Sequence, residues 1–133
     1  MTRLALKHIE RIYANNGQHA EQVVRYTLTG TTGKADNSPF WKGGDVLDIQ
    51  VKSEKASVCK GTDILEHIKK DGAKRYGYVT RDFSTMYIMS PAEYAEFVNK
   101  FSSITYESQK NGGGIKRRLK SESRAMVEWL AGC

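Results

Sequence analysis

A short tract, GGDVLDIQVKS at 43–53, constrains the fold more than any other part of this chain. Its centre, from Val46 to Val51, is apolar and β-branched, which is typical of a buried strand. Side chains alternate between the two faces of a strand, so Gln50 and Lys52 share one face and Val51 occupies the other. Burying a lysine stem on such a strand is costly unless the ammonium has a partner, such as a carboxylate or a phosphate. The tract therefore predicts a sheet that carries a polar site.

The distance between Asp45 and Gln50 depends on whether this tract turns. In one extended strand the two residues would lie about 16 Å apart and on opposite faces, at ~3.3 Å per residue. A two-residue turn at Leu47–Asp48 would instead pair Val46 with Ile49. Asp45 would then lie directly across from Gln50, with Cβ atoms roughly 5 Å apart, close enough to share a divalent cation. Leucine and aspartate are both poor residues for such a turn, because neither favours a positive φ.

Two other acids remain as alternatives to Asp45. If the tract is one strand, Asp48 lies on the same face as Gln50 and Lys52 and could take its role. Asp36 would serve in a longer hairpin. We prefer Asp45, because the two glycines that precede it let a backbone or a ligand approach closely.

The composition indicates the class of protein. A length of 133 residues favours a single domain at 1–133 and suffices to bury a core. The chain has no run of ~18 apolar residues, which predicts no membrane span, and its N-terminus lacks the apolar centre of a signal peptide. Two cysteines, Cys59 and Cys133, fit a reducing compartment, so we expect a cytoplasmic protein. The net charge of +6 suits a polyanionic partner.

Hydrophobic periodicity and turn residues predict the other elements. Gly30 is expected to end the helix at 18–28, and Thr62 or Asp63 to cap the next one. Together the elements predict an α/β fold with a small mixed sheet flanked by helices. In chain order they are helices at 4–13 and 18–28, a central strand or hairpin that extends to 58, a helix from 63 to 71, strands at 75–80 and 85–89, and helices at 91–101 and 115–130.

The clearest local signal is the tetrapeptide Ser-Pro-Ala-Glu that precedes the helix at 91–101. Ser90 is expected to cap the helix, Pro91 to occupy its first position and Glu93 to complete a capping box. The residues that then recur at helical spacing are expected in the core, namely Tyr94, Phe97, Val98 and Phe101.

The C-terminal part of the chain is strongly basic. A glycine joint at 111–114 precedes the predicted helix at 115–130, which would form a C-terminal extension of about 110–133. The outer face of this helix would either be solvated or contact phosphates. The residues proposed to bind nucleic acid are Lys116, Arg117, Arg118, Lys120 and Arg124.

The residue types in the central tract suit hydrolysis of a phosphodiester. Carboxylate and amide oxygens can hold Mg²⁺, which lowers the pKa of water and stabilises developing charge. Asp45 and Gln50 are such ligands, and Lys52 can orient the water or stabilise the transition state. Because glutamine is a neutral ligand, a further carboxylate is desirable, and Glu21 on the helix at 18–28 is the best placed. Glu21 lies beside the apolar seam of that helix, where the alternative is a solvated charge.

The order of these motifs resembles the PD-(D/E)XK nuclease superfamily. Gly17–Glu21 has the G-x-x-x-E form found in the first helix of resolvase-type members, and Asp45 completes a G-x-D. Gln50–Lys52 is similar to the Q-x-K variant of Mrr-like restriction nucleases. The resemblance implies a restriction-endonuclease-like αβββαβ core at about 4–101. It also implies that Glu21, Asp45 and Gln50 bind Mg²⁺ or Mn²⁺ and that Lys52 is the catalytic lysine.

We therefore expect a metal-dependent DNA endonuclease of restriction or resolvase type. A duplex substrate and one active site per chain favour a homodimer. Two other classes stay open. One is a nucleic-acid-binding protein of the same fold without catalysis, and the other is a small interaction or inhibitor protein whose basic helix binds an acidic partner.

Overall fold

The structure is a computed structural model of the chain, and it describes residues 1–11, 13–32, 46–60, 63–107 and 114–132. Asp36, Asp45 and Cys133 lie outside these ranges. The described ranges contain four helices and seven strands. In chain order they are β1 (Thr2–Ala5), α1 (Asn16–Thr29), β2 (Ile49–Lys52), β3 (Ser57–Lys60), α2 (Ile64–Asp71), β4 (Arg75–Val79), β5 (Thr85–Met89), α3 (Pro91–Phe101), β6 (Ser102–Glu107), β7 (Gly114–Leu119) and α4 (Arg124–Gly132).

A mixed sheet, with the strand order β1-β5-β4-β2, lies at the centre of the fold. Strands β1 and β4 each pair with β5 in antiparallel fashion, whereas β2 and β4 are parallel neighbours. A parallel pair needs a long connection, and here the chain passes through β3 and α2 between the two strands. The predicted α/β class, with a small mixed sheet flanked by helices, is confirmed.

Strands β3, β7 and β6 form a second, antiparallel sheet in that order. The prediction that the central strand continues to residue 58 is therefore wrong. The chain turns after β2, where the Ser53 carbonyl oxygen accepts the Ala56 N–H at 3.2 Å and Lys55 has a φ of 62°. This turn redirects the chain, so that β3 pairs with β7 and not with the strands of the central sheet.

The central sheet separates two hydrophobic clusters. On one face, α1 packs Ala20 and Val24 against Ile49, Val79 and Met86, and we call this the α1 cluster. The other face carries the main cluster, which joins the sheet to α3, α4 and the second sheet. Fully buried members of the main cluster include Tyr76, Tyr78, Tyr94, Phe97, Leu119, Met126 and Leu130.

The predicted helix at 4–13 is wrong, because its beginning is part of β1. This strand pairs with β5, with Leu4 opposite Met86, and the Leu6 N–H donates to the Ser84 carbonyl oxygen at 2.8 Å. The following helix starts only at Asn16, since the Asn15 side chain caps it. Pairing with a strand that is distant in sequence thus outweighs a weak helical spacing.

The predicted helix at 115–130 is wrong in its first half, which forms β7. This strand is central in the second sheet, so both of its edges find backbone partners in β3 and β6. The helix α4 begins at Arg124. The residue before it, Ser123, caps the helix, because its hydroxyl accepts the Met126 N–H at 3.2 Å. Among the helices of the described ranges, α4 included, none is long and apolar enough to cross a membrane.

The predicted ends of α1 and α2 are confirmed. Gly30 and Gly72 terminate these helices in the left-handed conformation, with φ of 78° and 68°. The Asp63 carboxylate caps the first turn of α2 by accepting the Leu65 N–H at 3.0 Å. The apolar spacing of α2 predicts that Leu65 faces inward with Ile64 and Ile68, but Leu65 is 60% exposed.

The β4–β5 hairpin and α3 are also confirmed. The Ser90 hydroxyl accepts the Glu93 N–H at 3.2 Å, and the Ser90 N–H donates to Glu93 Oε1 at 3.0 Å. These two bonds form the predicted capping box. Of the predicted core residues on α3, three are buried and Phe101 is partly buried.

Replacing Gly77 by alanine is expected to destabilise the protein by about 1–3 kcal/mol through overpacking. An added Cβ would lie 2.4 Å from Met86 Sδ and 3.1 Å from Ile49 Cγ2. Gly132→Ala is the matched control, because the same methyl group would meet nothing within 4 Å at the end of α4. Guanidinium denaturation of both variants measures the effect, and equal free energies of unfolding would contradict the packing beside β4.

Candidate active site

The turn predicted at Leu47–Asp48 is present. Val46 and Ile49 form an antiparallel bridge in which each N–H donates to the carbonyl oxygen of the other at 2.9 Å. Leu47 adopts a φ of 57°, which is the unfavourable conformation that this turn demands. The alternative of one continuous strand is therefore wrong, because the chain reverses before β2 begins.

Arg75, the first residue of β4, binds the carboxylate of Asp48 in this turn. Its Nε donates to the two carboxylate oxygens at 3.1 and 3.0 Å, and its Nη2 also donates to Oδ1. The hydrogen bonds from the guanidinium hold the pKa of Asp48 below its usual range. This ion pair compensates for the poor turn sequence and occupies Asp48, so Asp45 stays the preferred ligand of the alternatives considered.

Gln50 and Lys52 project from the same face of β2, as the alternation predicts. Their neighbours in the parallel register are Tyr76 and Tyr78, which belong to the main cluster. The intervening valine packs toward the α1 cluster. The Lys52 ammonium donates to the Ser57 carbonyl oxygen at 3.0 Å. The amide and the ammonium are thus held on one side of the sheet, next to the start of β3.

Asp71, at the C-terminal end of α2, also contacts this site. Its Oδ1 accepts Gln50 Nε2 at 3.3 Å, and its Oδ2 accepts the Tyr76 hydroxyl at 3.1 Å. Because the amide nitrogen of Gln50 donates to Asp71, the amide oxygen, Oε1, points away from Asp71. Gln50 Oε1 is buried and has no hydrogen-bond partner within the described ranges. The sequence indicates Asp71 only as the last residue of the predicted helix at 63–71, because its contact with β2 depends on the crossover to β4.

Glu21 lies on α1, which covers the opposite face of the central sheet. Its neighbours Ala20 and Val24 pack against Ile49, and Glu21 itself is partly buried. To share a cation with Gln50, the Glu21 carboxylate must reach the edge of the sheet at β2, the outermost strand of the described part. The described contacts therefore bring the amide and the lysine together, and Glu21 stays a predicted ligand.

Cys59 and His19 are buried groups with shifted pKa values. Cys59 is 3% exposed, and burial raises the pKa of its thiol, which keeps it protonated at neutral pH. His19 packs edge-on against the Phe83 ring, with centroids 4.6 Å apart, and burial lowers its pKa. Within the part of the chain that the structure describes, no three His, Cys, Asp or Glu side chains are grouped so as to hold a metal.

Three of the proposed nucleic-acid-binding residues lie on β7 and not on a helix. Lys116 and Arg118 share one face of that strand, and Arg117 projects from the other. Arg117 Nη1 donates to the Ser102 hydroxyl at 3.1 Å, on the face that also carries the buried Leu119. The predicted basic helix face is therefore wrong, and the outward basic side chains of β7 are only the two at 116 and 118.

The other two basic residues follow β7. Lys120 is exposed in the connection to α4. Arg124 opens α4, and its Nε donates to Glu128 Oε1 at 2.8 Å, one helical turn further on. These two charges lie outside the second sheet, so the five basic residues do not form one continuous stripe.

No protein-family model, curated protein or solved structure matches this chain. The likeness to PD-(D/E)XK nucleases consequently rests on the motifs at 17–21, 43–45 and 50–52. What the geometry adds is the turn before β2, the shared face of Gln50 and Lys52, and the buried amide oxygen.

Proposed function

We propose that this protein is a divalent-cation-dependent nuclease that hydrolyses DNA phosphodiester bonds. The observation that carries the proposal is the bridge between Val46 and Ile49. In an antiparallel pair, the residues that flank such a bridge are the next to face each other. Asp45 precedes the described residues 46–60, and we infer from this register that it would lie across from Gln50. A carboxylate and an amide supply oxygen ligands of the type that Mg²⁺ and Mn²⁺ prefer.

The buried oxygen of Gln50 fits a cation ligand. An amide oxygen that is removed from water and lacks a hydrogen bond is costly, and a bound cation would compensate for that cost. Asp71 orients the amide by accepting its nitrogen. Asp45 and Glu21 would add the negative charge that a neutral glutamine lacks. A divalent cation held there would supply positive charge to the scissile phosphate and acidify the attacking water.

Lys52 provides the second charge of the site. Its ammonium is positioned by the Ser57 carbonyl oxygen, on the same face of β2 as Gln50. A positive group fixed in advance stabilises charge that develops on the phosphate, and it costs no reorganisation during the reaction. We assign to Lys52 the tasks of orienting water and stabilising the transition state.

Duplex DNA is the proposed substrate, and the net charge of +6 supports it. Lys116 and Arg118 on the outer face of β7 and the exposed Lys120 are the proposed phosphate contacts. Since one chain carries one such site, cutting both strands favours a homodimer. A second candidate function is DNA binding without catalysis, which the basic net charge of the chain supports equally.

Nicking of supercoiled plasmid by the Asp45→Asn variant tests the proposal. Cleavage is expected with Mg²⁺ or Mn²⁺ and to be lost in EDTA. The variant should be about 10²-fold slower, because a metal ligand contributes several kcal/mol of charge stabilisation. Asp36→Asn is the matched control and should retain the wild-type rate. Cleavage that resists EDTA, or that neither substitution changes, would favour contamination or the non-catalytic alternative.

A further inference from the structure

Three large apolar side chains lie exposed together at one end of the second sheet. Ile104 and Tyr106 are two residues apart on β6, and Ile115 on β7 is the cross-strand partner of Tyr106, so all three share one face. Their exposed fractions are 51%, 83% and 43%. We call these three residues the β6–β7 patch. Single apolar side chains are ordinary on protein surfaces, but a contiguous group is typical of an interaction site.

The β6–β7 patch continues the face of the second sheet that is buried further along. Leu119 lies on the same face of β7 as Ile115, is 2% exposed and belongs to the main cluster. Its cross-strand partner is Ser102, at the beginning of β6. Among the described residues, the members of the two hydrophobic clusters include none of the patch. The strands therefore extend past the core and present their apolar face to solvent.

The charge around the β6–β7 patch is positive. Arg117 is the cross-strand partner of Ile104 and so lies on the patch face. The other cations of β7 and of the connection after it are Lys116, Arg118 and Lys120. Strands β6 and β7 contain one acid, Glu107. A polyanion is attracted to these cations, whereas a second copy of the chain would bring like charges together, so charge complementarity favours a nucleic acid over self-association.

The exposed ring of Tyr106 decides which form of nucleic acid fits. A tyrosine that is 83% exposed on a sheet surface offers its aromatic face to a planar ligand. Every nucleobase has such a face, but in a duplex the bases are stacked on each other, so only unpaired bases can stack on a protein ring. An aromatic side chain on a basic surface is the usual means of binding a single strand. The combination found here therefore favours a single strand over a duplex.

We propose that the β6–β7 patch binds single-stranded DNA. One base stacks on the ring of Tyr106, Ile104 and Ile115 pack against the apolar parts of the strand, and the cations of β7 attract its phosphates. The choice of DNA over RNA rests on the proposed nuclease function, whereas the stacking chemistry rests on the patch alone. The patch thus holds an unpaired segment of the substrate, which the duplex contacts proposed above do not.

Binding of a fluorescently labelled oligothymidine to the full chain in EDTA, followed by anisotropy, tests the proposal without any cleavage. Tyr106→Ala should weaken binding about tenfold, which is the usual contribution of one stacked base, and Tyr106→Phe should retain wild-type affinity. The dependence of log K on log salt should not change in Tyr106→Ala, because stacking releases no counterions. Leu65→Ala is the matched control and should change neither quantity, since it removes another exposed apolar side chain, on α2.

The same oligothymidine annealed to its complement separates this inference from the proposed function. Tyr106→Ala should leave binding of this duplex unchanged, and a loss confined to the single strand would uphold the inference even if no plasmid is cleaved. An equal loss for both forms, or wild-type protein that does not bind the single strand, would overturn it even if the plasmid is cleaved. Sedimentation equilibrium tests the other occupant, because a wild-type dimer that Tyr106→Ala converts to a monomer would assign the patch to a second copy. Tighter binding of an oligouridine would likewise overturn the assignment to DNA.

Discussion

Replacing Lys52 by methionine is expected to lower metal-dependent DNA cleavage by about 10²–10³-fold, the usual effect of removing one preorganised group that stabilises the transition state. Methionine keeps the apolar stem of the side chain and removes its charge. Within the described ranges, the substitution removes the hydrogen bond that joins the ammonium to the Ser57 carbonyl oxygen at 3.0 Å. Such a bond contributes about 1 kcal/mol, so the variant should still be folded at 25 °C.

Initial rates of plasmid nicking and a thermal unfolding curve for each variant separate catalysis from stability. Lys69→Met is the matched control, because this lysine is exposed on α2 and its removal should leave the rate unchanged. A Lys52→Met protein that cleaves at the wild-type rate would exclude this lysine from the reaction. Loss of cleavage together with loss of the folded state would point to a structural role instead.

The parts of the fold that were predicted correctly depend on neighbours in sequence. The capping box of Ser90 and Glu93 and the glycine stop at Gly72 are local signals that carry their own mechanism. The turn at Leu47–Asp48 was also predicted, although a positive φ is unfavourable for both residues. Its support comes from Arg75, which is distant in sequence, and no local rule would have indicated that ion pair.

The errors lie where partners from distant parts of the chain decide the structure. The beginning of the helix expected at 4–13 belongs instead to β1, which pairs with residues 85–88 of β5. The first half of the helix expected at 115–130 forms the strand β7, which lies between β3 and β6 in the second sheet. In both segments the apolar spacing is compatible with either structure, so pairing decides.

The candidate site was predictable only in part for the same reason. The shared face of Gln50 and Lys52 follows from alternation along β2, which a sequence reveals. The contact between Gln50 and Asp71 follows from the crossover through α2, which a sequence does not reveal. The basic residues were identified by composition, but their division between two faces of β7 depends on the second sheet.

Replacing Phe97 by alanine is expected to lower the free energy of unfolding by about 3–5 kcal/mol, the cost of emptying a fully buried aromatic site. Phe97 is 0% exposed, and its ring centroid lies 5.4 Å from that of Tyr78 on β4 and 5.8 Å from that of Trp129 on α4. One side chain therefore joins α3 to the central sheet and to the C-terminal helix. Since Tyr78 lies beside Lys52 in the parallel register, loosening this cluster also loosens the strand next to the site.

Guanidinium denaturation, followed by tryptophan fluorescence and by circular dichroism, measures this prediction. Phe101→Ala is the matched control, because this ring is only partly buried at the margin of the same cluster, 5.7 Å from Phe97, and should cost less. In a Trp41→Phe background the remaining tryptophan, Trp129 on α4, reports the C-terminal helix, whereas circular dichroism reports the whole chain. Coincident transitions are expected for both probes, because the main cluster contains residues of the central sheet and of α4 alike. A loss below about 1 kcal/mol, or separate transitions in the wild-type protein, would contradict a single core shared by these elements.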